Sequence, residues 1–145
     1  AGTPSLANIL ALEKALELAL TNQEARYNYL KELGDMIKSH LSEYKNVSIN
    51  SRENSLPSII NFSLIGEKAL TILDKFEEHN IIFSAKTSCC PITTPSKLVY
   101  ALTKDKQKAS SSIRVSLSYK TTKEEVAEFL KVFDLIYKEI YHGEV

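Results

Sequence analysis

The chain has 145 residues, of which 43% are hydrophobic and 25% are charged, so it is long enough to bury the core of one globular domain. Its 18 basic and 18 acidic residues balance, and no overall field would attract nucleic acid or an anionic membrane. No apolar run approaches the roughly 20 residues that cross a bilayer, and the first residues lack the pattern of a signal peptide, so we expect a soluble, cytoplasmic protein.

The first residues predict the start of a helix. Thr3 offers a hydroxyl that can cap free backbone amides, and Pro4 is tolerated at the first helical position. Apolar residues then recur every three to four positions as far as Leu41, which predicts one long amphipathic helix, or two abutting helices interrupted near Thr21 and Asn22. Because the chain begins at an alanine and enters this helix almost at once, we expect it to be an excised piece of a longer protein.

Residues 47–49 and 59–64 are predicted to form strands. The second run alternates, with Ile60, Phe62 and Leu64 on one face, as in a strand that is buried on one side only.

A second helix is predicted over residues 67–79. Leu70, Leu73 and Phe76 should point inward from it. Asn80 suits the left-handed conformation that ends a helix.

The apolar run at residues 81–83 is predicted to be a buried strand that leads into a loop of small and polar residues at 84–91. This loop holds the only two cysteines, Cys89 and Cys90, and adjacent cysteines do not reach the usual geometry of a disulfide with each other. Lys86 lies near Cys89 in sequence and would favour the thiolate, which is the reactive form. Cys89 is therefore a candidate nucleophile, although many cysteines simply pack as small hydrophobic residues.

Two other cysteine chemistries do not fit the spacing. A phosphatase-type loop requires an arginine six positions after the cysteine, where this chain has Pro95 or Ser96. A structural zinc site requires four ligands in spaced pairs, and the histidines of this chain are scattered singly. We therefore expect no metal site.

A short helix is predicted to begin near Pro95 and Ser96, with a lysine-rich turn after it. Residues 112–117 (Ser-Ile-Arg-Val-Ser-Leu) alternate strictly, so Arg114 projects from the face opposite to the apolar side chains. Its guanidinium could bind a carboxylate through two parallel hydrogen bonds, and the alternative is a surface arginine in a weak ion pair. The last helix opens with residues 121–124 (Thr-Thr-Lys-Glu), which match a capping box.

Helix and strand signals mix without the regular alternation of a parallel sheet. We predict a single α+β domain over residues 1–145, with a small, mainly antiparallel sheet covered by helices. Its helices should include a long N-terminal helix and a C-terminal amphipathic helix.

Five segments of the chain, taken in order, match one known pattern. They are residues 2–5 (compare Gly-Thr-Pro-Asn or Gly-Thr-Glu-Asn), 56–63 (Leu-Pro-Asn followed by Asn-x-Ser-Phe), 82–89 (a strand and Ser-Ser-Gly-Ser-Ala-Cys), 95–96 (Glu-Pro-Ser) and 112–125 (Ser-Ile-Arg-x-Ser-Leu-Gly-Arg-x-Thr-Thr-x-Glu-Glu). Together they resemble the carboxy-terminal small domain of cysteine desulfurases, which are enzymes of the class V aminotransferase family. The resemblance covers essentially the whole chain.

This resemblance implies the small domain of a fold-type I enzyme that uses pyridoxal phosphate to take sulfur from L-cysteine. The products would be alanine and a persulfide on Cys89, for iron–sulfur cluster or other sulfur-cofactor assembly. By the same resemblance Arg114 would bind the substrate carboxylate, and Thr3 would contact the cofactor phosphate across a homodimer interface. A sulfur acceptor or iron–sulfur scaffold protein would be the partner.

The resemblance also implies that the Schiff-base lysine belongs to a large domain that this chain lacks, so the chain alone should not turn over cysteine. In the loop, Lys86 stands where a glycine is usual, and Cys90 follows the implied nucleophile. Two alternatives stay open. One is a non-catalytic dimerisation or partner-docking domain of the same fold, and the other is a selenocysteine lyase or an aminotransferase of the same family.

Overall fold

The computed structural model describes residues 2–82, 84, 85, 91 and 93–143. Within these ranges the elements are α1 (Leu6–Ser42), β1 (Val47–Ile49), β2 (Ile59–Leu64), α2 (Ala69–Glu77), α3 (Lys97–Thr103), α4 (Lys106–Ser111), β3 (Ser112–Ser116) and α5 (Lys123–His142). The strands form one antiparallel sheet in the order β1-β2-β3. The predicted α+β class, with its long first helix and its amphipathic last helix, is confirmed.

Helix α1 is continuous through Thr21 and Asn22, so this part of the chain forms one long helix and not two abutting ones. The Thr21 hydroxyl donates to the Glu17 carbonyl at 2.8 Å, and the Asn22 amide donates to the Leu18 carbonyl at 3.0 Å. Both polar side chains bond back to the preceding turn, so neither competes with the helix for its backbone groups.

The start of α1 differs from the prediction. Thr3 and Pro4 lie outside the helix, and Ser5 occupies the N-cap position without a side-chain hydrogen bond. The Leu6 N–H donates to the Pro4 carbonyl at 3.0 Å, so a tight turn precedes the helix and the predicted threonine cap is wrong.

The core lies between one face of the sheet and helices α1, α2 and α5. Its largest fully buried side chains are Leu33, Ile37, Leu41, Ile60, Phe62, Leu64, Ile72, Phe76, Ile113, Phe133 and Ile136. The alternation predicted for β2 is confirmed for Ile60, Phe62 and Leu64, but Ser63 on the opposite face is also fully buried. Both faces of β2 are therefore covered near its end.

Only the C-terminal part of α1 takes part in this core. Every residue from 6 to 20 is exposed, although the stretch is rich in leucine. Its exposed apolar side chains are Leu6, Ile9, Leu10, Leu12, Leu16, Leu18 and Leu20. At 1.5 Å per residue, roughly 20 Å of apolar helix extends beyond the packed domain. No helix in the described ranges has both the length and the apolar character needed to cross a membrane.

Helix α2 is oriented differently from the prediction. It buries Ala69, Ile72 and Phe76, which share one face at helical spacing, and Leu70 is 39% exposed, so its inward assignment is wrong. Asn80 has a φ of 59° beyond the helix end, which confirms the predicted left-handed residue.

The strand predicted at residues 81–83 is wrong for the two residues of this run that the structure describes. The Ile81 N–H donates to the Phe76 carbonyl in the last turn of α2 at 3.0 Å, and Ile82 is 84% exposed, so the two residues follow the end of the helix without forming a buried strand. The third residue lies outside the described ranges. Ser84 joins the sheet through an isolated antiparallel bridge to Arg114.

The remaining helix ends follow local signals. Helix α3 begins where it was predicted, and the Ser96 side chain caps it. The lysine-rich turn is wrong, because Lys104 ends α3 in the left-handed conformation and Asp105 caps the short helix α4. Helix α5 begins with a capping box formed by Thr122 and Glu125, one position later than predicted.

Candidate anion-binding site

Arg114 projects from the middle of β3 on the face opposite to the core residues Ile113 and Val115, as the alternation predicted. Its backbone N–H donates to the Ser84 carbonyl at 2.6 Å, and its carbonyl accepts from the Ser84 N–H at 3.3 Å. Arg114 thus ties β3 to the segment that leads into the cysteine loop.

The Arg114 guanidinium has no partner in the described part of the chain. Its Nε is buried without a hydrogen bond, and no described carboxylate lies within ion-pair distance of the group. The weak surface ion pair is therefore not formed by these residues. A buried unsatisfied donor costs about 1–3 kcal/mol, and this cost is relieved when an anion binds.

The arginine lines a pocket of about 320 Å³ between the sheet and the start of α3. The sheet contributes Asn61 and Arg114, the segment after β1 contributes Asn50, and α3 contributes Ser96 and Lys97 near its start. Among the described residues that line it, two are cations and none is an acid. The pocket should therefore attract a small anion such as a carboxylate.

A second pocket, of about 540 Å³, is also lined by Arg114, together with Ser84 and residues of α5. Its lining includes the acidic residues Glu125 and Glu128 and the half-buried Ile81. These carboxylates make it less favourable for an anion than the first pocket.

Polar side chains on the sheet face form a hydrogen-bonded chain next to the first pocket. Asn50 Nδ2 donates to Asn61 Oδ1 and to Ser63 Oγ, both at 2.8 Å. The Ser63 hydroxyl donates to the Lys108 carbonyl of α4 at 2.9 Å. Asn50 and Asn61 are not among the site residues predicted from the sequence. The available signal was the position of Asn61 on the polar face of an alternating strand.

The three predicted site residues are not all brought together. Arg114 is in the pocket, whereas Thr3 is exposed near the start of α1 and lines neither pocket that contains Arg114. Cys89, with Lys86 and Cys90, lies outside the described residues, so its place beside Arg114 stays a prediction.

The described residues fit a carboxylate but do not assemble a site for a whole pyridoxal phosphate. Lys97 is the only described lysine that lines a pocket with Arg114, and it is exposed in the first turn of α3. No described group of three histidine, cysteine, aspartate or glutamate side chains is placed to hold a metal ion.

Comparison with known sequences places the chain among related proteins. The sequence model of the aminotransferase class-V family matches residues 1–129. The cysteine desulfurase IscS of Clostridium botulinum is 30% identical over 144 residues, which are 96% of this chain and 36% of that protein. IscS of Dictyoglomus turgidum is 31% identical over 143 residues, which are 97% of this chain and 36% of that protein. The chain thus spans little more than a third of these relatives.

Solved structures give the same picture of the fold. The NifS-like protein from Rickettsia africae superimposes with a TM-score of 0.76 at 27% identity, over 95% of this chain and 36% of that one. The cysteine desulfurase CsdA from Escherichia coli superimposes with a TM-score of 0.68 over 95% of this chain and 32% of that one. At 18% sequence identity, this match shows a similarity of fold alone.

Proposed function

This chain belongs to the class V aminotransferase family, and we propose that it is the carboxy-terminal small domain of a cysteine desulfurase. The observation that carries the proposal is the anion pocket at Arg114, in a chain whose relatives at about 30% identity are named cysteine desulfurases. The exposed apolar half of α1 agrees with a domain that packs against further protein, because soluble domains rarely leave such a face uncovered.

In the proposed reaction Arg114 binds the carboxylate of L-cysteine. Its planar guanidinium can donate two parallel hydrogen bonds to one carboxylate, and its Nε has no partner among the described residues. This binding fixes the carboxylate end of the substrate. The position of the substrate sulfur atom therefore depends on the geometry of the guanidinium–carboxylate pair.

Cys89 is the proposed sulfur acceptor. Its thiolate attacks the sulfur of cysteine, an S–S bond forms, and the C–S bond breaks. The electron pair of the broken bond stays on carbon, which takes up a proton to give alanine, and the sulfur remains on Cys89 as a persulfide. Ser84, five positions earlier in the sequence, is bonded to Arg114, which supports a loop that begins beside the bound carboxylate.

The rest of the full-length enzyme would hold the cofactor. Bound pyridoxal phosphate would supply the electron sink for this chemistry. Thr3, whose hydroxyl has no partner among the described residues, is proposed to contact its phosphate across a homodimer interface. The persulfide would pass to a sulfur acceptor or an iron–sulfur scaffold protein.

The test uses the full-length protein that contains this chain, incubated with L-cysteine. We expect alanine release and a persulfide on Cys89, trapped by alkylation and located by mass spectrometry. Cys89→Ala should abolish both, and the matched neighbour Cys90→Ala should retain both. Full alanine release by Cys89→Ala, or no alanine release by the unaltered protein, would contradict the proposal. Comparing turnover of cysteine with that of selenocysteine separates a desulfurase from a selenocysteine lyase.

A further inference from the structure

Asn61 faces Arg114 directly across the sheet. The two residues are partners in the β2–β3 register. The backbone groups of Asn61 bond towards β1, its N–H donating to Ser51 Oγ and its carbonyl accepting from the Asn50 N–H, both at 2.8 Å. Those of Arg114 bond to Ser84 on the opposite side. They are therefore a non-hydrogen-bonded antiparallel pair, in which two side chains share a face with Cβ atoms about 4.5–5.5 Å apart.

The polar chain beside this pair fixes which way the Asn61 amide is turned. The Lys108 carbonyl can only accept, so the Ser63 hydroxyl must donate to it and must itself accept from Asn50. Asn50 consequently presents its NH₂ group, and the second hydrogen of that group goes to Asn61 Oδ1. The oxygen of Asn61 is directed to Asn50, and its NH₂ group is left for another acceptor.

Asn61 and Arg114 thus present hydrogen-bond donors to one pocket. No side chain in the described ranges accepts a hydrogen bond from the Asn61 amide or from Arg114 Nε. Both residues line the same pocket, whose described lining also includes the cation Lys97 and contains no acid. Adjacent neutral and cationic donors match the two oxygens of a carboxylate.

We propose that Asn61 is a second substrate-binding residue, whose Nδ2 donates to the carboxylate that Arg114 binds. Asn50 and Ser63 are positioning residues, because their hydrogen bonds keep the Asn61 Oδ1 directed to Asn50 and leave its NH₂ group for the carboxylate. The inference rests on the proposed function, because it assigns a further ligand to the same substrate group.

The binding test uses the full-length protein that contains this chain, labelled with ¹⁵N, with L-alanine as the probe and L-alaninamide, which lacks the carboxylate, as the control. The side-chain N–H signals of Asn61 and Arg114 should shift together with one Kd, and only with L-alanine. Asn61→Ala should weaken binding about tenfold, the size expected for a lost hydrogen bond to a charged group. Asn61→Asp should weaken it further, because it places a carboxylate beside the guanidinium.

A matched serine pair tests the positioning role. Ser63 and Ser112 are partners in the register and are 0% and 2% exposed, but the Ser112 hydroxyl has no hydrogen bond with a described residue. Ser63→Ala should weaken L-alanine binding severalfold, whereas Ser112→Ala should leave it unchanged. Thermal unfolding of both variants reports whether they fold. If Ser63→Ala does not fold, Asn50→Ala removes the same link and carries the same expectation.

The outcomes distinguish this inference from the function on which it rests. The role of Asn61 would be overturned if L-alanine shifted the Arg114 signal but not the Asn61 signal, or if Asn61→Ala left the Kd unchanged. Either result would leave the carboxylate site at Arg114 standing. A response of neither signal to L-alanine would overturn both. In the full-length protein, a supported role would appear as a KM for cysteine that Asn61→Ala raises by a larger factor than it lowers kcat.

Discussion

Replacing Gly34 by alanine tests how closely α1 packs against the segment that leads into β2. An added Cβ would stand 2.4 Å from the Pro57 carbonyl oxygen, well inside the roughly 3.5 Å at which non-bonded heavy atoms pack. Alanine is favoured over glycine in a helix interior by about 1 kcal/mol, whereas overpacking a dense core costs about 1–3 kcal/mol. Because the clash is with backbone, which cannot rotate away, we expect the upper part of this cost, about 2–3 kcal/mol, and therefore a net destabilisation of about 1–2 kcal/mol.

Thermal unfolding followed by circular dichroism measures this effect. For a chain of this size 1 kcal/mol corresponds to roughly 2–4 °C, so Gly34→Ala should lower the Tm by about 2–8 °C. Ser39→Ala, at an exposed position of the same helix, should instead raise the free energy of unfolding by about 0.5 kcal/mol. A Tm that rises equally in the two variants would show that α1 does not press on Pro57 and would refute the reasoning.

Two further predictions concern stability. Leu41 is fully buried and Leu16 is 54% exposed. In denaturant titrations Leu41→Ala should therefore lower the free energy of unfolding by about 2–5 kcal/mol, and Leu16→Ala by less than about 0.5 kcal/mol. Equal losses in the two variants would contradict the assigned core. Burial raises the pKa of Tyr141 from 10.0 to about 12, with smaller contributions from Tyr137 and Glu67. The folded state therefore keeps a proton that the unfolded state loses between these values, so this stabilising contribution is complete below pH 10 and is lost as the pH rises towards 12. Between pH 10 and pH 12, Tyr141→Phe should lose free energy of unfolding less steeply than the unaltered protein in denaturant titrations. The same slope in both proteins would argue against the raised pKa of Tyr141.

Features that depend on neighbours in sequence were predictable. The alternation of β2 and β3 gave the correct buried face and placed Arg114 on the opposite one, because successive side chains of a strand point to opposite sides. Asn80 and Ser96 marked helix ends correctly, since left-handed and capping positions select these residue types. The buried strand predicted at residues 81–83 was wrong for the described residues of that run. The prediction took apolar character as a sign of burial, but Ile82 is exposed.

The sequence by itself determined the type of most elements and the face from which Arg114 projects, because periodicity and end signals are local properties of the chain. Only the tertiary structure decided which half of α1 enters the core, since Leu16 and Leu41 belong to the same helical pattern. It alone also decided that Asn61 stands opposite Arg114 with its amide turned by Asn50. Strand register and the direction of a hydrogen-bonded chain are set by groups that meet in space, and no short stretch of sequence contains both partners.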